Sequence, residues 1–177
     1  SQLRFGVLGP LEVVGPDGPV DLGAPKHRAL LGILLLTPGR VVSVDRLVDG
    51  LWQGAPPASA TTTLQAYVSH LRRALEPDRA AGAAASVLVT RPPGYLLDIA
   101  DEQVDSRRFE LLVREAEAAA AARRVHQASE LLTDALALFR GQPFADFAFD
   151  EWATGEAARL GELQLAAQEQ RLDLELQ

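Results

Sequence analysis

The sequence contains no cysteine and no long apolar run. The absence of cysteine excludes disulfide bonds and thiolate ligands for metals. No run approaches the roughly 20 apolar residues of a membrane-spanning helix, and no basic segment followed by an apolar one marks a secretory signal at the start. We therefore expect a cytoplasmic protein that has no membrane partner.

Residue patterns that mark enzymes are also missing. His27, His70 and His126 lie far apart in the sequence and have no companion at metal-ligand spacing. There is no glycine-rich phosphate loop, no nucleophile elbow and no histidine pair of a metalloprotease. The many carboxylates fall on helix faces, where solvation accounts for them. The sequence therefore predicts a protein that is not an enzyme and that holds neither a cofactor nor a metal ion.

The net charge of −7 hides a difference between the two parts of the chain. Residues 1–100 carry nine basic and eight acidic residues, a net +1, whereas residues 101–177 carry eight and sixteen, a net −8. Because an acidic surface repels DNA, any surface that contacts DNA must lie in the first hundred residues. The second part is better suited to contacts with proteins.

Residues 61–75 have the pattern of one amphipathic helix. Large apolar residues recur at spacings of four, three and four, which forms a single stripe. The other side offers hydroxyl, amide and guanidinium groups, and the stretch contains no acidic residue. Such groups bind base edges and phosphates, so we predict a DNA-recognition helix. An ordinary half-buried helix with an uncharged outer face is the alternative that this stretch alone leaves open.

The elements around this helix follow the order of a winged helix. A helix-turn-helix followed by a hairpin has that topology, and its second helix enters the major groove. We expect Pro93 and Gly94 to form a type II turn, with Arg91 at the tip of the hairpin. Arg91 can then contact a phosphate or the minor groove, and the alternative is a solvated charge at a turn. The patterns are a sheet at 3–22, helices at 26–36 and 44–52 around a short strand at 41–42, the helix at 61–75, and a hairpin at 87–99.

The C-terminal part is predicted to be purely helical. Residues 101–105 are acidic and polar, and we expect them to link a domain at 1–100 to a domain at 106–177. The first two helical patterns of the second domain resemble a tetratricopeptide-type hairpin. The predicted fold class is therefore α+β, with a winged helix-turn-helix and small antiparallel sheets followed by an all-α tetratricopeptide-like domain.

The third helical pattern of this domain, at 151–177, has no partner in the sequence. We expect its apolar face to be exposed at the end of the chain. Further helices should then follow in the natural protein, and the helical domain of this chain should be incomplete. The leucines of that face are Leu160, Leu163, Leu165 and Leu172.

Several strings of residues together resemble the Streptomyces antibiotic regulatory protein family of transcriptional activators. The resemblance covers nearly the whole chain, and its downstream part is similar to that family's bacterial transcriptional activation domain. The upstream strings are GRVVSVDRL at 39–47, LW at 51–52, PPASA at 56–60, TTLQAYVSHLRRAL at 62–75 and TRPPGYLL at 90–97. The downstream strings are at 105–109 and from 130–132 through 138–141.

This resemblance implies an OmpR-type winged helix fused to a tetratricopeptide-like activation domain. It implies a sequence-specific activator of a biosynthetic, antibiotic-type gene cluster. Such a protein binds tandem direct repeats in double-stranded DNA, as a head-to-tail homodimer. It then recruits the RNA polymerase holoenzyme, including its sigma factor, and is associated with the nucleoid.

The resemblance also implies which positions contact DNA. His70 stands where arginine is common, so one positive charge is missing at neutral pH. The positions that match the groove-facing side of the recognition helix are Thr62, Gln65, Ser69, His70 and Arg72. The positions that match backbone or minor-groove contacts are Thr61, Arg73, Arg91 and Tyr95. The alternative function is a protein-interaction module that uses the winged helix and the helical repeat as docking surfaces without DNA.

Overall fold

The computed structural model describes residues 2–177 and has an α+β architecture. The strands of these residues lie between positions 4 and 97, and the chain from 101 onward is helical, which confirms the predicted fold class. The strands are β1 (Arg4–Gly6), β2 (Glu12–Gly15), β3 (Gly18–Pro19), β4 (Val42–Ser43), β5 (Leu88–Arg91) and β6 (Gly94–Leu97). The helices are α1 (Pro25–Leu34), α2 (Val44–Trp52), α3 (Ala60–Leu75), α4 (Asp105–Ala121), α5 (Val125–Leu136) and α6 (Glu151–Glu175). Short 3-10 turns cover Asp101–Gln103 and Ala145–Phe147.

Strands β1, β2 and β3 form the predicted antiparallel sheet at the start of the chain. Phe5 lies opposite Val13, and both side chains are buried. The turn between β2 and β3 ends at Gly18, whose φ of +109° favours glycine. Alternation along β1 and β2 therefore directs apolar side chains into the core.

Helix α1 is buried on every side along its second half. It begins at Pro25, which suits a first helical turn because proline has no N–H to leave unpaired. The consecutive residues 30–34 are all buried. This burial follows from the position of α1, which contacts α2, α3, α6 and β6.

Helices α2 and α3 form the predicted helix-turn-helix. Ser43 caps α2 as expected, because its hydroxyl oxygen accepts a hydrogen bond from the Arg46 N–H at 3.1 Å. Ser59 occupies the expected cap position of α3, but its side chain makes no capping hydrogen bond there. The chain leaves α2 through Gln53, which has a left-handed conformation with φ of 49°.

The hairpin of β5 and β6 (residues 88–97), here called the wing, forms a second antiparallel sheet with β4. Its turn is not of type II, because Gly94 belongs to β6 and has no positive φ. The Pro92–Pro93 peptide bond is cis. Glycine is needed at 94 for another reason. A Cβ atom there would overlap the carbonyl oxygen of Val42 on the adjacent strand β4.

Residues 101–105, which we predicted to be a linker, are folded against the first sheet. The Gln103 side-chain amide donates a hydrogen bond to the Leu3 carbonyl oxygen at 3.0 Å. Val104 is fully buried and forms a parallel bridge with Phe5. The segment therefore fixes the start of α4 to β1, and its polar composition serves specific hydrogen bonds rather than flexibility.

The segment between α5 and α6 packs on the connection between β1 and β2. The N–H of Arg140 donates to the Leu8 carbonyl oxygen, and that of Phe144 donates to the Val7 carbonyl oxygen, both at 2.8 Å. The Leu11 N–H donates to a carboxylate oxygen of Asp146 at 2.9 Å. One continuous apolar core therefore extends from the first sheet to α6.

Helix α6 exposes only part of its predicted apolar face. Leu165 is 60% exposed and Leu172 is 54% exposed, as expected. Leu160 is fully buried and Leu163 is partly buried, because both belong to or pack against the common core. None of the helices within residues 2–177 combines the length and hydrophobicity needed to cross a membrane.

Candidate nucleic-acid interface

Helix α3 presents its polar side to solvent. The apolar stripe of Leu64, Val68, Leu71 and Leu75 is buried in the core. The polar side of α3 is not covered by the acidic C-terminal half. The residues of this polar side remain exposed when all of residues 2–177 are present. The exposed residues predicted to contact DNA are Thr61, Thr62, Gln65, Ser69 and Arg73 on α3, and Arg91 on the wing.

His70 lies at the edge of this face and turns toward α1. Its ring stacks on that of His27, with 3.9 Å between centroids and 9° between planes. The Nε2 atom of His70 is buried and has no hydrogen-bond partner within residues 2–177. Burial lowers the pKa of His27, and the neighbouring His70 lowers it further. His70 thus packs against α1 while staying partly exposed, and its contact with DNA stays a prediction.

Arg72 is also half-buried, although we predicted that it would point outward. Its Nε atom donates to the carbonyl oxygen of Leu88 at 2.9 Å, and its Nη2 atom donates to the hydroxyl of Thr90 at 2.7 Å. Its guanidinium carbon lies 5.8 Å from the centre of the Tyr95 ring. Arg72 therefore contacts the wing, because the hairpin folds back against the C-terminal half of α3.

Tyr95 is buried in β6, between its neighbours β4 and β5. In the sheet it lies opposite Val42 on one side and Thr90 on the other. Its ring projects from the sheet on the side where Arg72 lies. The structure therefore brings Arg72 and Tyr95 together, with Tyr95 buried and Arg72 half-buried. Their roles in contacting DNA stay predictions.

Glu76 makes a second attachment between α3 and the wing, which the sequence pattern did not indicate. Its carboxylate accepts hydrogen bonds from the N–H groups of Ser86 and Val87, each at 2.7 Å, and from the Ser86 hydroxyl at 3.2 Å. Partial burial would raise the pKa of Glu76, but these hydrogen bonds and Arg79 hold it below its ordinary value. One feature of the sequence could have indicated this contact. Glu76 is an acidic residue directly after a helix that contains none.

Two family models match the chain. Residues 18–97 match the model described as transcriptional regulatory protein, C terminal, and residues 104–177 match the bacterial transcriptional activator domain. Together these ranges contain α3, the wing and the C-terminal helices.

Curated relatives of this chain are regulatory proteins. EmbR of Mycobacterium tuberculosis is 40% identical over 157 residues, which are 85% of this chain and 39% of EmbR. AfsR of Streptomyces coelicolor is 37% identical over 177 residues, 99% of this chain and 17% of AfsR. DnrI of Streptomyces peucetius is 36% identical over 177 residues, 98% of this chain and 65% of DnrI. The chain thus spans only part of these relatives, and their descriptions agree with the prediction that it is not an enzyme.

A solved structure has the same fold. The structure of Mycobacterium tuberculosis EmbR in complex with a low-affinity phosphopeptide superposes with a TM-score of 0.92 at 37% sequence identity. The superposition covers 99% of this chain and 46% of the EmbR chain. The arrangement of both halves described above is therefore similar to one that exists in a solved structure.

Proposed function

The chain belongs to the Streptomyces antibiotic regulatory protein family of transcriptional regulators, and from this we propose that it is an activator that binds specific sequences in double-stranded DNA. The observation that carries the proposal is the outer face of α3. That face is exposed and contains no carboxylate, in a protein whose net charge is −7. Surfaces of acidic proteins that do not bind anions normally mix charges of both signs.

We assign a DNA contact to each predicted side chain that is exposed to solvent. Thr62, Gln65 and Ser69 bind base edges in the major groove through hydroxyl and amide groups. Thr61 and Arg73 bind phosphates, and the wing carries its own contact to a phosphate or the minor groove. His70 and Arg72, which are half-buried, and Tyr95, which is buried, hold these elements in place.

The mode of DNA binding, the regulated genes and the partner proteins are proposed from the family resemblance. We propose that two copies bind tandem direct repeats head to tail as a homodimer, upstream of a biosynthetic gene cluster of the antibiotic type. The C-terminal half then recruits the RNA polymerase holoenzyme with its sigma factor. The net charge of −8 on the C-terminal half supports a role in binding polymerase rather than DNA, because an acidic surface repels DNA. Such a protein works at the nucleoid, in the cytoplasm.

Footprinting on genomic fragments tests the proposal, because it yields the repeat, its spacing and the number of bound copies together. On the operator found, Gln65→Ala should weaken binding by about 1–3 kcal/mol and leave non-specific binding unchanged. Gln168→Ala is the matched control, since Gln168 is an exposed glutamine on α6. Failure to protect any fragment, or equal effects of the two variants, would contradict the proposal.

A protein-interaction module remains the second candidate. It is favoured by exposed apolar side chains of the C-terminal half, among which Phe149 is 100% exposed. Exposed aromatic groups are common in protein interfaces. A competitor duplex separates the two functions, because it should abolish promoter binding in the first case. In the second case it should leave partner binding unchanged.

A further inference from the structure

We propose that Arg72 is a positioning residue, which holds the wing at a fixed angle to α3 and does not itself touch DNA. The proposal deepens the proposed function and rests on it. It changes the role of the guanidinium that the sequence pattern assigned to the groove.

The guanidinium of Arg72 contacts both strands of the wing. On β5 it donates hydrogen bonds at 2.9 Å to the Leu88 carbonyl oxygen and at 2.7 Å to the Thr90 hydroxyl. On β6 it lies 5.8 Å from the ring of Tyr95, within the range of a cation–π interaction. The planar group with several fixed N–H donors suits this arrangement, whereas the point charge of a lysine does not.

The second attachment lies directly after the last residue of α3. Glu76 accepts hydrogen bonds from Ser86 and Val87, which lead into β5. The Glu76 N–H donates a hydrogen bond to the Arg72 carbonyl oxygen at 2.9 Å, so both attachments lie at the C-terminal end of the helix. The helix thus holds the wing at the entrance of β5 through Glu76 and along its length through Arg72.

The position of the Arg91 side chain depends on the attachment of the wing to α3. It is the last residue of β5, directly after Thr90, and its side chain is exposed. A wing that is fixed before binding presents Arg91 to DNA without a further loss of conformational entropy. Without Arg72 the wing must be ordered during binding, so the contribution of Arg91 to affinity should fall.

A double-mutant cycle on the full chain tests this dependence. Operator affinity and its dependence on salt are measured for the wild type, Arg72→Ala, Arg91→Ala and the double variant. Arg91→Ala should weaken binding about tenfold in the wild type and less than about threefold when Arg72 is already alanine. The salt slope of the double variant should fall by no more than that of Arg91→Ala alone, which is about 0.9 for one phosphate.

Arg73 supplies the matched control, because it is the adjacent arginine and is exposed. The losses of Arg73→Ala and Arg91→Ala should add, both in affinity and in salt slope, since each contacts DNA independently. If the losses of Arg72→Ala and Arg91→Ala also add, Arg72 makes its own contact with DNA and the proposal is overturned.

Thr90→Val keeps the test decisive if Arg72→Ala does not fold. It removes one acceptor of the Arg72 guanidinium and should reduce the effect of Arg91→Ala in the same direction but by less. An undiminished effect of Arg91→Ala in this background would also overturn the proposal. A wild-type protein that binds no duplex would instead refute the proposed function, so the two failures are distinguishable.

Discussion

At the scale of the residue, Asp105 joins the two halves of the protein. Its carboxylate accepts hydrogen bonds from the N–H groups of Val7 at 2.8 Å and Leu8 at 3.0 Å. Arg140 lies 3.9 Å from the same carboxylate. Burial raises the pKa of Asp105, and the two N–H groups and Arg140 only partly oppose that effect.

Asp105→Asn should destabilise the protein by about 1–3 kcal/mol, because an amide has only one oxygen and leaves one backbone N–H facing another donor. Urea unfolding of the two proteins measures the difference. The pH dependence has a definite sign. Because the folded-state pKa is raised, the folded state holds this proton more tightly than the unfolded state does.

The advantage of the wild type over Asp105→Asn should therefore grow as the pH falls from about 7 toward about 4. Other carboxylates titrate alike in both proteins and cancel in the difference. An advantage that is constant or shrinks over this range would show that the carboxylate is not buried as described.

At the scale of the element, packing of α1 against α3 includes the stacked rings of His27 and His70. The Nδ1 atom of His27 accepts a hydrogen bond from the Ala24 N–H at 3.0 Å, so the ring is uncharged in the folded arrangement. Burial, followed by the proximity of His70, lowers the pKa of His27 from its ordinary 6.5. Protonation of His27 therefore opposes the contact of α1 with the candidate recognition helix.

His27→Gln should remove one source of acid sensitivity. A group with a lowered folded-state pKa stabilises the protein above its ordinary pKa of 6.5, and that stability is lost as the pH falls below it. The melting temperature of the wild type should thus fall more than that of His27→Gln between about pH 7 and about pH 5. Equal pH dependence in the two proteins would contradict a partly buried, neutral ring.

The sequence predicts features that depend on neighbouring residues, but it does not predict contacts between residues that are far apart in the chain. The stripe of Leu64, Val68 and Leu71 is a local pattern, and it correctly separated the buried side of α3 from the exposed one. His70 and Arg72 flank that stripe, so their direction depends on which distant element packs beside them. Arg72 turns to the wing, whose contacts lie 16 and 18 residues away.

The folded segment 101–105 shows the same limit. Its acidic composition is typical of a linker, and the local pattern contains nothing else. Its partners are backbone groups of Leu3, Val7 and Leu8, which lie about a hundred residues earlier in the chain. Hydrogen bonds between such distant positions leave no periodic signal in the sequence.

At the scale of the whole molecule, the first sheet belongs to both halves. The connection between its strands β1 and β2, at Val7–Leu11, is hydrogen-bonded to the α5–α6 segment and the start of α4. Arg28 of α1 adds a salt bridge to Asp146 at 2.6 Å. The surface that we propose binds DNA and the half that we propose recruits polymerase are therefore held in one orientation.

Because the core is continuous, the intact chain should unfold in one cooperative transition. A fragment of residues 1–100 loses the partners of its first sheet and should melt at least about 10 °C lower. It should keep some DNA binding, since α3 and the wing are present, but should not activate transcription. Differential scanning calorimetry measures both transitions, and an unchanged melting temperature would show that the halves are independent.

The exposed polar face of α3 must lie against DNA if the protein works as we propose. Because the chain contains no cysteine, Ser69→Cys creates a single thiol on that face, which can carry a photoactivatable crosslinker. Gln168→Cys places the same label on the exposed side of α6. With operator DNA, we predict a covalent adduct at position 69 that maps to bases of the repeat, and none at position 168. No adduct at position 69, or equal yields at the two positions, would contradict the proposed interface.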